Sequence, residues 1–437
     1  MTTTKNNEHK KLNFSSEREQ SQVCLNSAEH EKNQGRKVLN VPNLRFKEFQ
    51  GEWINCTIGE IGTIKNGPFG SVLHAEDYVD EGMPIVTTEH FKSGCLPFSK
   101  DGIPQVSEDD YKRLRGYKLE KDDIVFSRVG SVDINAHVGA LQDGWLFSGR
   151  VLRVRPIKTI NAECLHYVLS TELVKRNIRN RAVGQTMPSI NTPILANTKI
   201  FLPQSIVEQK KIATLLRLID ERIATQNKII EDLKKLKSAI IEEYYRQTEK
   251  NEVCVADLGN HFNVGNLAKD DLSETGKPCI IYGELFTTYG EIISQIESHT
   301  NKTGGMILSK KGDLLFPSST TVDAVSLIAP SVINVDNVIL GGDMFGIHIS
   351  HNYNAQYLSY YFNHIAKKQL AKFAKGSTII HLHYTDIEKA KLLLPSLEEQ
   401  NRMAKCLVAL DKKVSVEQNL LSSLTCQKSY LLQQMFI

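Results

Sequence analysis

No run in the 437 residues approaches the roughly 18 consecutive apolar residues that a membrane-spanning helix needs. No secretory signal is visible either, so the expected location is the cytoplasm, with no membrane partner. The eight cysteines (Cys24, Cys56, Cys95, Cys164, Cys254, Cys279, Cys406 and Cys426) form no C-x-x-C pair and no Cys/His spacing suited to zinc. Reduced core thiols are the expectation. There is no Gly-x-x-x-x-Gly-Lys-Ser/Thr loop, so no ATP hydrolysis of the phosphate-loop kind is expected of this chain. Nor is there an Asn-Pro-Pro-aromatic tetrad or a glycine-rich cofactor fingerprint after a strand. No Ser/His/Asp or Cys/His nucleophile arrangement can be assembled without arbitrary choices. The expectation is therefore a protein with no catalytic residue, no metal and no cofactor. The formal charge of +3 does not by itself demand nucleic acid; local clustering has to carry that argument.

What is present is a long helical pattern, and it occurs twice. In Ser205 to Tyr245 apolar residues recur at alternating steps of four and three: Ile212, Leu216, Ile219, Ile223, Ile230, Leu233, Ile240 and Tyr244. This is the a/d seam of a coiled coil. Ser205 and Glu208, after Pro203, predict a capping box. From Ile212 to Tyr245 the helix would be about 50 Å long. Met403, Leu407, Leu410, Val414, Leu421, Leu424, Leu431 and Met435 repeat the seam near the chain's end, and Ser396 and Glu399 repeat the box after Pro395. Asp220-Glu-Arg222 is echoed by Asp411-Lys-Lys413. The seam breaks coincide too, Gln226 and Lys237 matching Glu417 and Lys428.

The segments before each helix also run in parallel. Short, β-rich stretches punctuated by Gly and Pro follow Trp53 and again Glu252. PIVTTEHF is matched by PCIIYGEL, and DDIVFSRV by GDLLFPSS. Asn161–Ala182 reads as one helix with a basic end and is echoed from Asn354. A Gly-x-Thr loop follows each, Gly184 and Thr186 matched by Gly376 and Thr378. The expected organisation is a mobile polar tail at 1–40, a domain at 41–203, a helix at 204–247, a second domain at 248–395 and a helix at 396–437. The expected class is α+β: two α/β domains in tandem, separated by two long antiparallel coiled-coil helices, related by internal duplication and a pseudo-twofold axis.

The opening VPNLRFKEFQGEW, the GPFGS at Gly67 to Ser71 and the LP-x(n)-EQ helix entries resemble the specificity subunit of type I restriction–modification systems, over about Val41 to Ile437. The resemblance implies two target-recognition domains, each reading one half of a split target in double-stranded DNA. It implies a bacterial, non-catalytic subunit that docks two methyltransferase subunits and, in the full complex, two restriction subunits. Adenine methylation and ATP-dependent translocation and cleavage would belong to those partners. The second half departs from the pattern: NVGNLA replaces GPFGS, and Ser318 stands where Arg128 would be. Two rival readings are a stand-alone DNA modification methyltransferase, which would need a methyl-donor site, and a coiled-coil scaffold with two ligand-binding lobes.

DNA recognition needs cations for phosphates and hydrogen-bonding groups for base edges. Lys175, Arg176, Arg179 and Arg181 cluster at the end of the first domain's helix, and Lys367, Lys368, Lys372 and Lys375 at the end of the second's. Lys175/Arg179 and Lys368/Lys372 are i,i+4 pairs on one helix face. The same cations would suit the helix dipole if the ends are merely solvated. Gln185-Thr186 and Ser377-Thr378 follow on the loops, as groove-entering side chains. Arg128 could reach guanine or form a structural ion pair. Thr88-Glu89 and Tyr282-Gly-Glu284 sit at matched strand ends, as cytosine-reading or simply exposed carboxylates. The loop Asn66 to Ser71 could approach phosphate or be a tight turn. His381 and His383, alternating with Leu382 on an expected strand, suit a DNA contact better than zinc. In an antiparallel pair Gln226 could face Lys428 while Lys237 faces Glu417, so that these four residues fix the helix register.

Overall fold

The computed structural model describes residues 40–68 and 72–437. The polar tail, and Phe69, Gly70 and Ser71 of the GPFGS motif, lie outside the described residues. The chain divides into two units, Met1–Thr214 with Leu431–Ile437, and Leu215–Tyr430.

In the first unit an antiparallel sheet runs in the order Gly62–Asn66, Val151–Pro156, Ile124–Ser127, Asn135–His137. A second sheet runs Tyr78–Val79, Gln105–Val106, Met83–Val86, Leu146–Phe147, its last pair parallel. Strand Ile124–Ser127 is buried throughout, as its unbroken IVFS run demands. Val86, Phe91, Val125, Phe147 and Val151 share one core cluster. The single helix expected over Asn161–Ala182 is two, Ala162–Leu169 and Glu172–Arg181. Ser170 and Thr171 break it: their hydroxyls take the carbonyls of His166 (2.8 Å) and Val168 (2.7 Å), and Thr171 adopts an extended conformation.

The second unit repeats the strand order and adds one strand to each sheet. Its sheets run Gly259–Asn263, Met344–Ile349, Asp313–Pro317, Ser331–Ile333, Ile292–Ile293, and Leu272–Ser273, Ser298–Thr300, Lys277–Ile281, Ile339–Gly341, Ile307–Leu308. Each unit also has a two-stranded closure, Ile54–Thr57 with Lys199–Leu202 and Asn251–Cys254 with Lys391–Leu394.

The long helices are Ile206–Gln247, of 42 residues, and Leu397–Gln434, of 38. The first is about 60 Å long. Within the second unit they run antiparallel: contacts join Tyr244 to Glu399, Lys237 to Asp411, Gln226 to Glu417 and Asp220 to Lys428. The seam residues form the buried and half-buried stripe of each helix, while Leu218, Leu236 and Val416 point outward. The capping boxes form by half. The Ser205 and Ser396 hydroxyls accept from the N–H of Glu208 (3.4 Å) and Glu399 (3.3 Å). The Glu208 carboxylate turns away to Arg45 (2.6 and 2.8 Å), which ties the segment before the first strand to the helix entry.

Candidate nucleic-acid interface

Each domain presents one exposed hairpin loop, held by the same backbone hydrogen bonds. Val183 and Ser189 exchange N–H···O bonds of 2.9 and 2.8 Å; Lys375 and His381 exchange bonds of 2.9 and 2.7 Å. Ile190 N donates to Arg128 O (2.9 Å), and Arg128 N to Arg150 O (2.9 Å). In the second domain Leu382 N donates to Ser318 O (2.9 Å), and Ser318 N to Asp343 O (2.8 Å). Gly184 and Gly376 lead into the loops at φ +98° and +114°. A Cβ on Gly184 would lie 2.6 Å from the Met187 carbonyl oxygen, and one on Gly376 closer still to that of Ile379. Glycine is therefore required at both places by conformation and by space. The tips Gln185, Thr186, Met187 and Ser377, Thr378, Ile379 are all exposed.

The basic residues are less uniform than their spacing suggests. Lys175 and Arg179 do share helix Glu172–Arg181. Arg179 is committed to Asp133 (2.5 Å) and also to Glu172, which hold its pKa above the ordinary arginine value. Arg181 donates to the Asn197 carbonyl (2.8 Å). Arg176 is exposed, and among the described residues no ion pair engages it. In the second domain the expected shared face is not built. Lys368 lies in helix Lys367–Leu370 and Lys372 in a separate 3-10 turn, Ala371–Phe373, so they are not an i,i+4 pair of one α-helix. The α-helix stops where Leu370 and Ala371 must bury against the domain core. Lys375 pairs with Asp386 at 2.5 Å.

Arg128 sits half-buried after its strand, with Nη1 on the Gly149 carbonyl at 3.2 Å. Glu89 is exposed and paired with Lys92. Glu284 is neither exposed nor at a strand end. It is buried, starts a short helix, and accepts from Ile281 N (2.8 Å) and Ser298 Oγ (2.5 Å). His381 ends the short strand Ile380–His381, but His383 caps the next helix instead of continuing that strand. Among the described residues no group of His, Cys, Asp or Glu could hold a metal ion, and no helix is long and apolar enough to cross a membrane.

The helix pair corrects the expected facing. Gln226 Nε2 donates to the Glu417 carbonyl (3.2 Å) and carboxylate, so its partner is Glu417, about three turns from Lys428. Lys237 does not meet Glu417. Its ammonium lies 2.9 Å from Asp411 and 2.9 Å from Glu291. Lys428 lies 2.5 Å from Asp220. Gln226 and Glu417 are equivalent positions of the repeat, and Lys237–Asp411 and Lys428–Asp220 are equivalent pairs, so the pseudo-twofold axis passes between Gln226 and Glu417. The expectation paired each of Gln226 and Glu417 with a lysine break; instead those two meet each other and both lysines leave the seam. A lysine stem is long enough to leave the seam and reach a flanking aspartate, where opposite charge favours it.

Residues that sequence reasoning missed complete this junction. His364 Nε2 lies 2.9 Å from Glu291, and the Tyr360 hydroxyl donates to Asp411. Burial pushes the Glu291 pKa up, but the His364 hydrogen bond and the Lys237 charge outweigh it and hold the group down to about 2. The glutamines of the two EQ pairs are a second omission. Gln209 is buried, donates to Pro203 O (2.8 Å) and accepts from Asn161 N (2.7 Å). Gln400 does the same with Pro395 O (2.9 Å) and Asn354 N (3.0 Å). Each ties a long helix to the N-cap of its domain's own helix. Repetition of the EQ pair after Pro was the signal available in the sequence.

Two tandem domains of one scaffold, each with a loop exposing small polar side chains and each followed by a long helix of a common pair, describe a duplicated two-lobed reader. Residues 50–235 and 248–425 both match the type I restriction modification DNA specificity domain, and the chain belongs to that family. It is 26% identical over 412 residues to the "Putative type I restriction enzyme MjaX specificity subunit" of Methanocaldococcus jannaschii, covering 87% of this chain and 92% of that one. It is 24% identical over 404 residues to the type I restriction enzyme MjaVIII specificity subunit of the same organism, covering 85% and 90%. In fold it is similar to the type I restriction–modification S subunit from M. genitalium, with a TM-score of 0.59 at 16% identity over 91% of this chain and 99% of that one.

Proposed function

We propose that the chain is the non-catalytic specificity subunit of a type I restriction–modification complex, working in the cytoplasm of a bacterium. Each domain reads one half of a bipartite target in double-stranded DNA, and the two antiparallel helices set the interval between the halves. The observation that carries this reading is the matched pair of hairpin loops, one frame of backbone hydrogen bonds holding different exposed tips. The tips share a threonine, Thr186 and Thr378, but set Gln185 and Met187 against Ser377 and Ile379, and a shared frame with such differences suits two readers of unlike sequences. The loop tips Gln185, Thr186, Ser377 and Thr378 approach base edges, and Lys175, Arg176, Lys368 and Lys372 lie on phosphates. Arg128 belongs to the base-reading group. Arg179, Arg181 and Lys375 position the surrounding loops through the partners given above.

Gln226, Lys237, Glu417 and Lys428 fix how far the helices slide past one another, and so the spacing. Exposed apolar side chains on both helices, among them Leu218, Leu236, Val416 and Tyr430, support docking of two methyltransferase subunits, with two restriction subunits completing the complex. Methylation of adenine and ATP-driven translocation and cleavage are the partners' chemistry. A mobility-shift assay with and without the methyltransferase subunit, paired with methyl-donor binding by the isolated chain, tests the reading. Sequence-selective DNA binding by the complex, with no donor binding by the chain alone, is expected. Donor binding by the chain alone would favour a self-contained methyltransferase instead.

A further inference from the structure

The first domain holds a cleft of about 620 Å³ that gathers residues far apart in sequence, among them Thr88, Glu89, Arg128, Gly149 and Arg150. It adjoins the recognition loop directly, because Gly130 N donates to Pro188 O (2.8 Å) and Ile190 N to Arg128 O (2.9 Å). The bond from Arg128 Nη1 to Gly149 O fixes one guanidinium at the wall. Arg150 brings a second; it is exposed, and none of the ion pairs among the described residues engages it. Glu89, the one carboxylate among the described residues of the lining, is paired with Lys92.

Two guanidinium forks beside a groove-entering loop suit an edge made of acceptors. Guanine offers O6 and N7 together in the major groove, the pattern an arginine fork matches best. The second domain makes the contrast. At the same hydrogen-bonded backbone positions Ser318 replaces Arg128 and Asp343 replaces Arg150. Asp343 lines a cleft of about 530 Å³ in the second domain, together with Lys375, His381, His383 and Asp386. With the frame kept, such an exchange alters what is read and leaves the fold alone.

We propose that the cleft of the first domain reads a guanine, with Arg150 and Arg128 donating to its O6 and N7. This rests on the reading that each domain recognises one half-site. The test uses the complex with its methyltransferase subunit and a panel of duplexes in which every base pair of both half-sites is replaced singly. In the wild type, replacing one guanine of one half-site should weaken binding about tenfold or more. Arg150→Gln should remove most of that penalty at that position and leave the other half-site's penalties unchanged. Arg128→Lys, which keeps the charge and loses the fork, should do the same. Penalties that persist in both variants overturn the proposal. So does uniform weakening on all duplexes with a flatter salt dependence, which would mark a phosphate contact. A wild-type complex indifferent to every replacement would overturn the two-domain reading as well.

Discussion

The two halves of the chain differ most where their backbones agree best. Arg128 and Ser318 hold the same place in the hydrogen-bond frame, as do Arg150 and Asp343, yet no pair keeps its chemistry. The helices do the reverse. Lys237–Asp411 and Lys428–Asp220 keep both backbone place and chemistry, and Gln209 and Gln400 make the same two bonds. The difference separates two kinds of demand. A ruler has to be symmetric, because two rods must register on each other; a reader has to be unlike its partner to specify an asymmetric target.

The symmetry of the helix pairs can be broken first. Lys237 is buried between two carboxylates, whereas Lys428 and Asp220 are each about 30% exposed. Lys237→Ala leaves Asp411 and Glu291 facing each other and should cost about 3–5 kcal/mol. Lys428→Ala should cost about 1 kcal/mol or less. Denaturant midpoints of the two variants give the comparison, and equal losses would refute it. The same junction has a pH signature. Glu291 is depressed from 4.5 to about 2, so its contribution is fully present above pH 4.5 and is lost as pH falls toward 2. Unfolding followed over that window should show this loss in the wild type and not in Glu291→Gln.

The glutamine clamps should be alike. Gln209→Ala and Gln400→Ala each strand a buried N–H and a carbonyl, and each should cost about 1–3 kcal/mol by thermal unfolding. A large effect in one half only would mean that the repeated bonds do different jobs. At the loops, Gly184→Ala and Gly376→Ala force a Cβ onto a backbone carbonyl in left-handed backbone, and about 1–2 kcal/mol should be lost in each. Each variant should weaken recognition of one half-site only in the duplex panel. The smallest expected effect separates Arg176 from its neighbour. Arg176→Ala should reduce the salt slope of DNA binding by about one. Arg179→Ala, which frees Asp133 and Glu172, should act mainly on stability.

Much of this was legible in the residues. The seam, its two breaks and the matched succession of β-rich segments follow from periodicity and from the repeat; the order of the strands within each sheet was not read from the sequence. The register was not legible, because it depends on how far a lysine stem reaches and on Glu291, a loop carboxylate with no counterpart in the helical pattern. The Asp220/Asp411 echo was visible, yet both lie beside the seam, so a seam-only pairing passed over them. The arginine cleft was half legible: Arg128 and Glu89 stood out singly, but only a sheet that brings strand ends together adds Arg150. Glu284 reads like Glu89 in sequence, and both stand in the first turn of short helices, but Glu284 turns inward to accept from Ile281 N and the Ser298 hydroxyl.

The account stands or falls on two separate readers held a fixed interval apart. Methylation mapping in cells carrying the whole system measures this directly, comparing the wild type with a variant that has four residues inserted at matched points in both long helices. The wild type should methylate two short unlike blocks separated by a fixed unread interval. The variant should keep both blocks and widen the interval by about two base pairs, from a rise of about 1.5 Å per residue against 3.4 Å per base pair. One uninterrupted target, or an interval that does not change, would contradict it.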